Sequence, residues 1–118
     1  MSQHAAAERI LGCPVPADAV TMHMAGVAAV FSRLPEPGTW EAHIGALPGC
    51  RGAHAVRVFR AMLRFWFRTR DCRRMLTIVA RSNAPARRMA VHLGFHRWGD
   101  PVTVEDGREY IAFEMVNP

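Results

Sequence analysis

Two stretches of the sequence combine residue types and spacings that could do chemistry. The first is Leu47-Pro48-Gly49-Cys50-Arg51-Gly52-Ala53-His54, where a strand pattern ends, a glycine-bearing loop follows and a long helical pattern begins. Such a junction aims unpaired backbone N–H groups and the positive end of a helix dipole at one point, which makes an anion site. Arg51 can add a bidentate contact to a phosphate. The second stretch is Asn83, Ala86, Gly94 and Phe95, in the pattern Asn-x-x-Ala, seven residues, Gly-Phe. Ahead of both, Glu41 and His43 share one face of the strand that leads into the loop, and either could serve as a general base. Each also has a plain alternative: Glu41 as a solvent-facing strand residue, His43 as a hydrogen-bonded, partly buried histidine. His92 and His96 are four apart, but Gly94 ends the helix between them and no acidic or thiol ligand is near, so the spacing gives no metal site. Cys50 stands near a helix start, where a thiol pKa can fall, yet no ordered base accompanies it and it reads as a loop thiol.

The elements that must position these residues follow from periodicity and breakers. His4 to Leu11 makes a short helix, stopped by Gly12-Cys13-Pro14-Val15-Pro16. Ala25 to Leu34 reads as a strand, Pro35 to Gly38 as a turn and Thr39 to Leu47 as a second strand, together an antiparallel hairpin. On the second strand Trp40, Ala42, Ile44 and Ala46 point to one face, and Glu41, His43 and Gly45 to the other. Ala53 to Thr69 is the strongest helix: Val56, Phe59, Met62, Leu63, Trp66 and Phe67 make its apolar face. Arg57, Arg60, Arg64 and Arg68 form a stripe on the opposite side, read as a solvated face in preference to a nucleic-acid contact line. Met75 to Ala80 is a short buried strand. Ser82-Asn83 caps a second helix with Pro85 in its first turn, ending at Gly94. Val102 to Val104 and Arg108 to Met115 form a closing hairpin around an Asp-Gly turn, and Trp98 covers an edge. A helix between strands requires a parallel crossover inside a mostly antiparallel sheet.

Composition bounds the rest. The 118 residues suit one domain, half of them hydrophobic, with no apolar run long enough to span a bilayer and no secretory pattern at the start. Three cysteines without metal-ligand spacing read as free thiols, and the expected compartment is the cytoplasm. The net charge of +5 comes entirely from arginine on the basic side, fifteen of them with no lysine, which points to a GC-rich coding bias. A basic surface suits an anionic partner, and cofactor phosphates satisfy that as well as a nucleic acid does.

In order and spacing the two stretches resemble the cofactor motifs of the GNAT N-acetyltransferase superfamily, over roughly residues 39 to 99, with the closing hairpin matching that family's last two strands. The Arg-Gly loop, the aromatic-rich helix and the Asn…Gly-Phe-x-x-x-Gly run ending at Gly99 are most similar to compact, phage-borne members. The resemblance implies an α/β fold with a mixed, mostly antiparallel sheet, a central strand–helix–strand crossover and a shortened N-terminal part. It implies acetyl-CoA as co-substrate, with the strand at Ile44 and Ala46, the loop Arg51, Gly52, Ala53 and His54, and Asn83 as cofactor contacts. The implied activity is acetyl transfer to a primary amine by direct attack, with Glu41 or His43 as base. A homodimer is compatible with it.

Departures from the family pattern keep two other readings open. Gly49 replaces the usual Gln or Arg, His54 replaces a small residue, and Ala90 stands where a tyrosine usually protonates the leaving thiolate. The sole tyrosine, Tyr110, is far along in the last strand. One reading is a catalytically degenerate domain of the same fold serving as a binding protein. The other is acetylation of a tRNA-borne amine, which would give the arginine stripe a purpose. Residues 1 to 24 must do the work of a strand and two helices that build much of the acceptor pocket in larger members, so the acceptor is not legible.

Overall fold

The computed structural model describes residues 3–117 and contains six strands and three helices of the α type in one mixed layer arrangement. In chain order these are α1 (Gln3–Leu11), β1 (Val20–Met24), β2 (Val27–Arg33), β3 (Thr39–Ala46), α2 (Ala53–Thr69), β4 (Arg74–Ala80), α3 (Ala84–Leu93), β5 (His96–Thr103) and β6 (Glu109–Val116), with a single 3₁₀ turn at Pro48–Cys50. The sheet order is β1-β2-β3-β4-β6-β5, and only β3 and β4 run parallel. That is the crossover the sequence requires.

Packing follows the alternation of the strands. Val27, Ala29 and Phe31 of β2, with Trp40 and Ala42 of β3, face α2 and α3. Ala28 and Val30 face α1 and pack with Ala7, Ile10 and Leu11. Helix α2 buries Ala55, Phe59, Met62, Leu63 and Trp66 in the main core, while Val56 and Phe67 sit half-buried at its margins. Trp66 stacks on Phe31 with ring centroids 4.0 Å apart and meets Trp40 edge-on at 4.9 Å. The Trp40 indole N–H donates to the Asp71 carbonyl at 3.0 Å, which ties β3 to the turn that enters β4. Helix α1 packs on β1, β2 and β3. On β4, β6 and β5 the same face is open, with Ile78, Trp98 and Val102 exposed and the Arg74 guanidinium 4.5 Å from the Trp98 ring.

Two strand boundaries differ from the sequence reading. Of the strand expected from Ala25 to Leu34, Val27–Arg33 is β2, but Ala25 and Gly26 are the two turn residues of a hairpin with β1, at φ 52° and 79°. Positive φ at both central positions fits a primed two-residue turn. Its usual Asn or Asp signal is replaced by alanine, so the turn was invisible in the pattern. The closing hairpin begins earlier than Val102: β5 starts at His96 and carries an irregularity between Trp98 and Val102. Gly99-Asp100-Pro101 look like a break, but an edge strand tolerates a proline and a bulge.

The thiols of Cys13, Cys50 and Cys72 are unpaired. Burial pushes the Cys72 thiol up to about 11, reinforced by the Asp71 charge and opposed by a hydrogen bond with the Arg74 backbone. It remains a neutral part of the core across the ordinary pH range.

The aromatic triad sits at the centre of the main core, so its loss should be felt throughout. Trp66→Ala is expected to destabilise the fold by about 3–5 kcal/mol, read from the shift in a urea unfolding midpoint at unchanged slope.

Candidate functional site

The site begins where β3 and β4 part. They pair in parallel at Thr39↔Arg74, Trp40↔Met75 and Glu41↔Leu76, and no further. At the next step the buried Thr77 hydroxyl donates to the Ala42 carbonyl at 2.9 Å, satisfying a group the ladder has abandoned. Beyond it the strands diverge, and a cleft of about 1190 Å³ opens between them. Ile44, Ala46, Phe59 and Ala90 line it on the helix α2 and α3 side; Ile10, Leu11, His43 and Ile78 line it on the α1 side. The cleft therefore connects the two faces of the sheet.

At one mouth of this cleft the chain turns from β3 into α2. The N-cap of α2 is Gly52, at φ 83° and ψ −143°, a conformation that only glycine adopts without strain. A Cβ there would meet nothing within 4 Å, so the requirement is conformational and the space beside it is open. No side chain caps the helix. The N–H groups of Ala53, His54 and Ala55 precede the first helical bond, which Val56 donates to the Gly52 carbonyl at 3.1 Å. They are the free donors expected of a helix start. The Arg51 side chain is exposed, lines the cleft and bonds through Nε to the Ala46 carbonyl at 3.2 Å.

A device that the sequence did not reveal holds this loop: the tip of the β1–β2 hairpin. Leu47 N–H donates to the Gly26 carbonyl at 2.9 Å. His54 Nε2 lies 3.2 Å from the Ala25 carbonyl. A Cβ on Gly26 would come within 2.4 Å of Cys50 Sγ, so the tip packs directly on the loop. The signal available was Gly26 itself, preceding an apolar run.

The expected site residues are placed as follows. Ile44, Ala46, Arg51, Gly52, Ala53 and Asn83 all line the cleft, as does His43. His54 is turned toward the hairpin tip and is not among the lining residues. Glu41 is half-buried on the same strand face as His43, but at the last paired step, outside the cleft lining. Asn83 accepts from the Ala86 N–H through Oδ1 at 3.2 Å and so caps α3, and Gly94 ends α3 in the left-handed conformation. Ala90 is buried in the cleft wall. Tyr110 pairs with Ala80 on β6 and does not line the cleft. The arginine stripe Arg57, Arg60, Arg64 and Arg68 is solvent-exposed, with Arg60 also donating to the His92 carbonyl at 2.6 Å. Among the described residues no group of three or more metal-ligating side chains comes together, and no helix is long and apolar enough to cross a membrane.

A mixed sheet that parts beside a glycine-led helix start has many solved counterparts. A GNAT-family acetyltransferase from Bacillus anthracis superposes with a TM-score of 0.70 over 80% of this chain and 60% of its own, at 16% identity. The chain has the GNAT fold. A GNAT-family protein from Bordetella pertussis matches with a TM-score of 0.62 at 27% identity, over 76% of this chain and 57% of its own. The ribosomal-protein-S5-alanine acetyltransferase from Vibrio fischeri matches with a TM-score of 0.65 at 12% identity, over 77% and 54%. The chain spans just over half to three-fifths of the length of these GNAT-fold structures. No protein-family model and no curated protein sequence matches it.

Should the loop carry a pyrophosphate, Arg51 must supply charge that backbone donors cannot. Arg51→Ala is expected to weaken coenzyme A binding by about 1.5–3 kcal/mol, the range of a hydrogen bond to a charged group. Isothermal titration calorimetry measures it directly, and an unchanged dissociation constant would remove Arg51 from the site.

Proposed function

We propose that this protein binds acetyl-CoA as one GNAT-fold unit and transfers the acetyl group to a primary amine by direct attack. The observation that carries the reading is the row of free N–H donors at Ala53 to Ala55, behind a conformationally required Gly52, opening on a cleft that passes between parted strands. Backbone donors fixed at a helix start suit a pyrophosphate. A cleft of about 1190 Å³ exceeds the usual volume for a drug-sized ligand and suits an elongated one. The residues present thus fit the group: Gly52 to Ala55 and Arg51 would hold the pyrophosphate, and Ile44, Ala46 and Asn83 would flank the arm.

Acetyl-CoA supplies a thioester, whose carbonyl carbon gains the bond to nitrogen as the bond to sulfur breaks and a thiolate leaves. The chain's own contributions are three. Its parted strands expose β3 backbone N–H groups that no ladder uses, and donors of this kind stabilise an oxyanion. The open α1 side of the cleft, beside His43 and Ile78, admits the amine. His43 is the base that takes the amine's proton, because of the two candidates it alone lines the cleft. Glu41, two residues earlier on the same face, is positioned to influence His43 from outside the lining. At Ala90 there is no hydroxyl to protonate the thiolate, and the Thr77 hydroxyl is committed to the Ala42 carbonyl. A thiol of pKa near ~8.5 leaves acceptably as thiolate near neutrality, so the amine's deprotonation is the more demanding proton transfer.

The buried Ala90 also favours a second reading, a GNAT-fold protein that binds an acyl carrier without turnover. The two separate in a pH–rate profile against a panel of small primary amines. The transfer reading expects activity to rise with pH without a falling limb near neutrality, and His43→Ala to cost about 10²–10⁴-fold in rate while Glu41→Gln costs little. Tight coenzyme A binding with no acetyl transfer to any amine at any pH would favour the binding reading.

A further inference from the structure

We propose a second anion site, shaped for a phosphate group, in the groove between α3 and the β5–β6 edge of the sheet. The groove measures about 430 Å³, with Arg87, Arg88 and His92 on its helix side, Arg97 on its strand side, and Ile111 and Phe113 among its apolar lining. Three arginines and a histidine line it, and among the described residues none of the three arginines forms an ion pair. The ion pairs among the described residues belong to Arg74, Arg81 and Arg108. Neither α2 nor α3 contains an acidic residue that could turn toward the groove.

An independent observation points the same way. Arg87 Nε is buried and has no hydrogen-bond partner among the described residues. A buried donor left without an acceptor is costly, more so on a charged group. Like charges gathered at one groove add to that cost. One tetrahedral dianion relieves both, offering acceptors on several sides to planar guanidinium forks that match phosphate oxygens. The start of α3 contributes little here: Pro85 has no N–H and the Ala86 N–H is held by Asn83 Oδ1. Recognition in the groove is therefore by side chains, unlike the backbone cradle of the main cleft.

The two sites are distinct but adjacent. Arg87 and Arg97 line the groove and not the cleft, Arg51 and Asn83 line the cleft and not the groove, and Arg88 and His92 line both. An anion in the groove would neutralise charge at the rim of the cleft. The proposal does not depend on acyl transfer. The phosphate could arrive as a free ion or as part of a nucleic-acid backbone, and these share the same chemistry.

Calorimetric titrations at low salt of inorganic phosphate, and separately of a short oligothymidylate, decide the matter on wild-type protein, Arg97→Gln and Arg51→Gln. Arg97 is exposed on the edge strand, so its replacement spares the core; Arg87→Gln serves as the second groove variant. The expected result is a phosphate-binding event weakened about tenfold or more by Arg97→Gln and by Arg87→Gln and retained in Arg51→Gln, which removes only phosphate held in the main cleft. Arg97-dependent binding of the oligonucleotide alone would also support the site and assign the phosphate to a nucleic-acid strand. Absence of binding by both probes, or binding insensitive to Arg97 and Arg87, would overturn the proposal. Binding lost only in Arg51→Gln would overturn it too, placing the anion in the main cleft.

Discussion

The parallel pairing of β3 and β4 lasts three residues, and the functional geometry depends on where it stops. One end is locked. Trp40 meets Trp66 edge-on, Trp66 in turn stacks on Phe31, the Trp40 indole N–H holds the Asp71 carbonyl, and both Arg73 and Arg74 donate their N–H groups to the Gly38 carbonyl. At the other end the Thr77 hydroxyl stands in for the next ladder bond, and the pairing of β3 with β4 does not continue past it. Closed-end rigidity keeps the open end open.

A second brace acts at the cleft's mouth. The loop from Pro48 to Gly52 carries no side-chain cap of its own, and its free donors would be poorly ordered without support. The β1–β2 hairpin tip supplies that support through Gly26 and Ala25, with Gly26 packed on Cys50 of the loop. His54, which departs from the family pattern, is accommodated by bonding to the tip and turning away from the cleft. Its bulk is therefore no obstacle to an anion at the loop. Charge is distributed with similar economy: α2 and α3 are free of carboxylates, and their arginines flank the cleft or face solvent.

Much of this was legible in the sequence because local rules dominate there. The long helix with its apolar face, the Asn83 cap, the left-handed Gly94 and the crossover each follow from a short pattern that tertiary context did not override. The loop residues Arg51 and Gly52 were legible for the same reason, since a strand, a glycine and a helix start suffice to suggest donors. What the sequence concealed lay in positions whose meaning is set by distant partners. Ala25 carries no turn signature, yet two hairpin strands require it at positive φ. Glu41 and His43 share a strand face, and only the step at which β4 departs separates their surroundings. The β5 bulge passed for a break because being an edge strand is a property of the sheet, not of the segment.

The proposed function rests on an anion cradle formed by the loop and first turn of α2, facing the parted strands. Backbone amide NMR of the ¹⁵N-labelled protein during titration with coenzyme A tests it most directly. The largest shifts are expected on the amides of residues 51–55, with smaller ones on Ile44, Ala46 and Asn83. No perturbation at saturating coenzyme A, or shifts confined to residues outside the cleft, would contradict it.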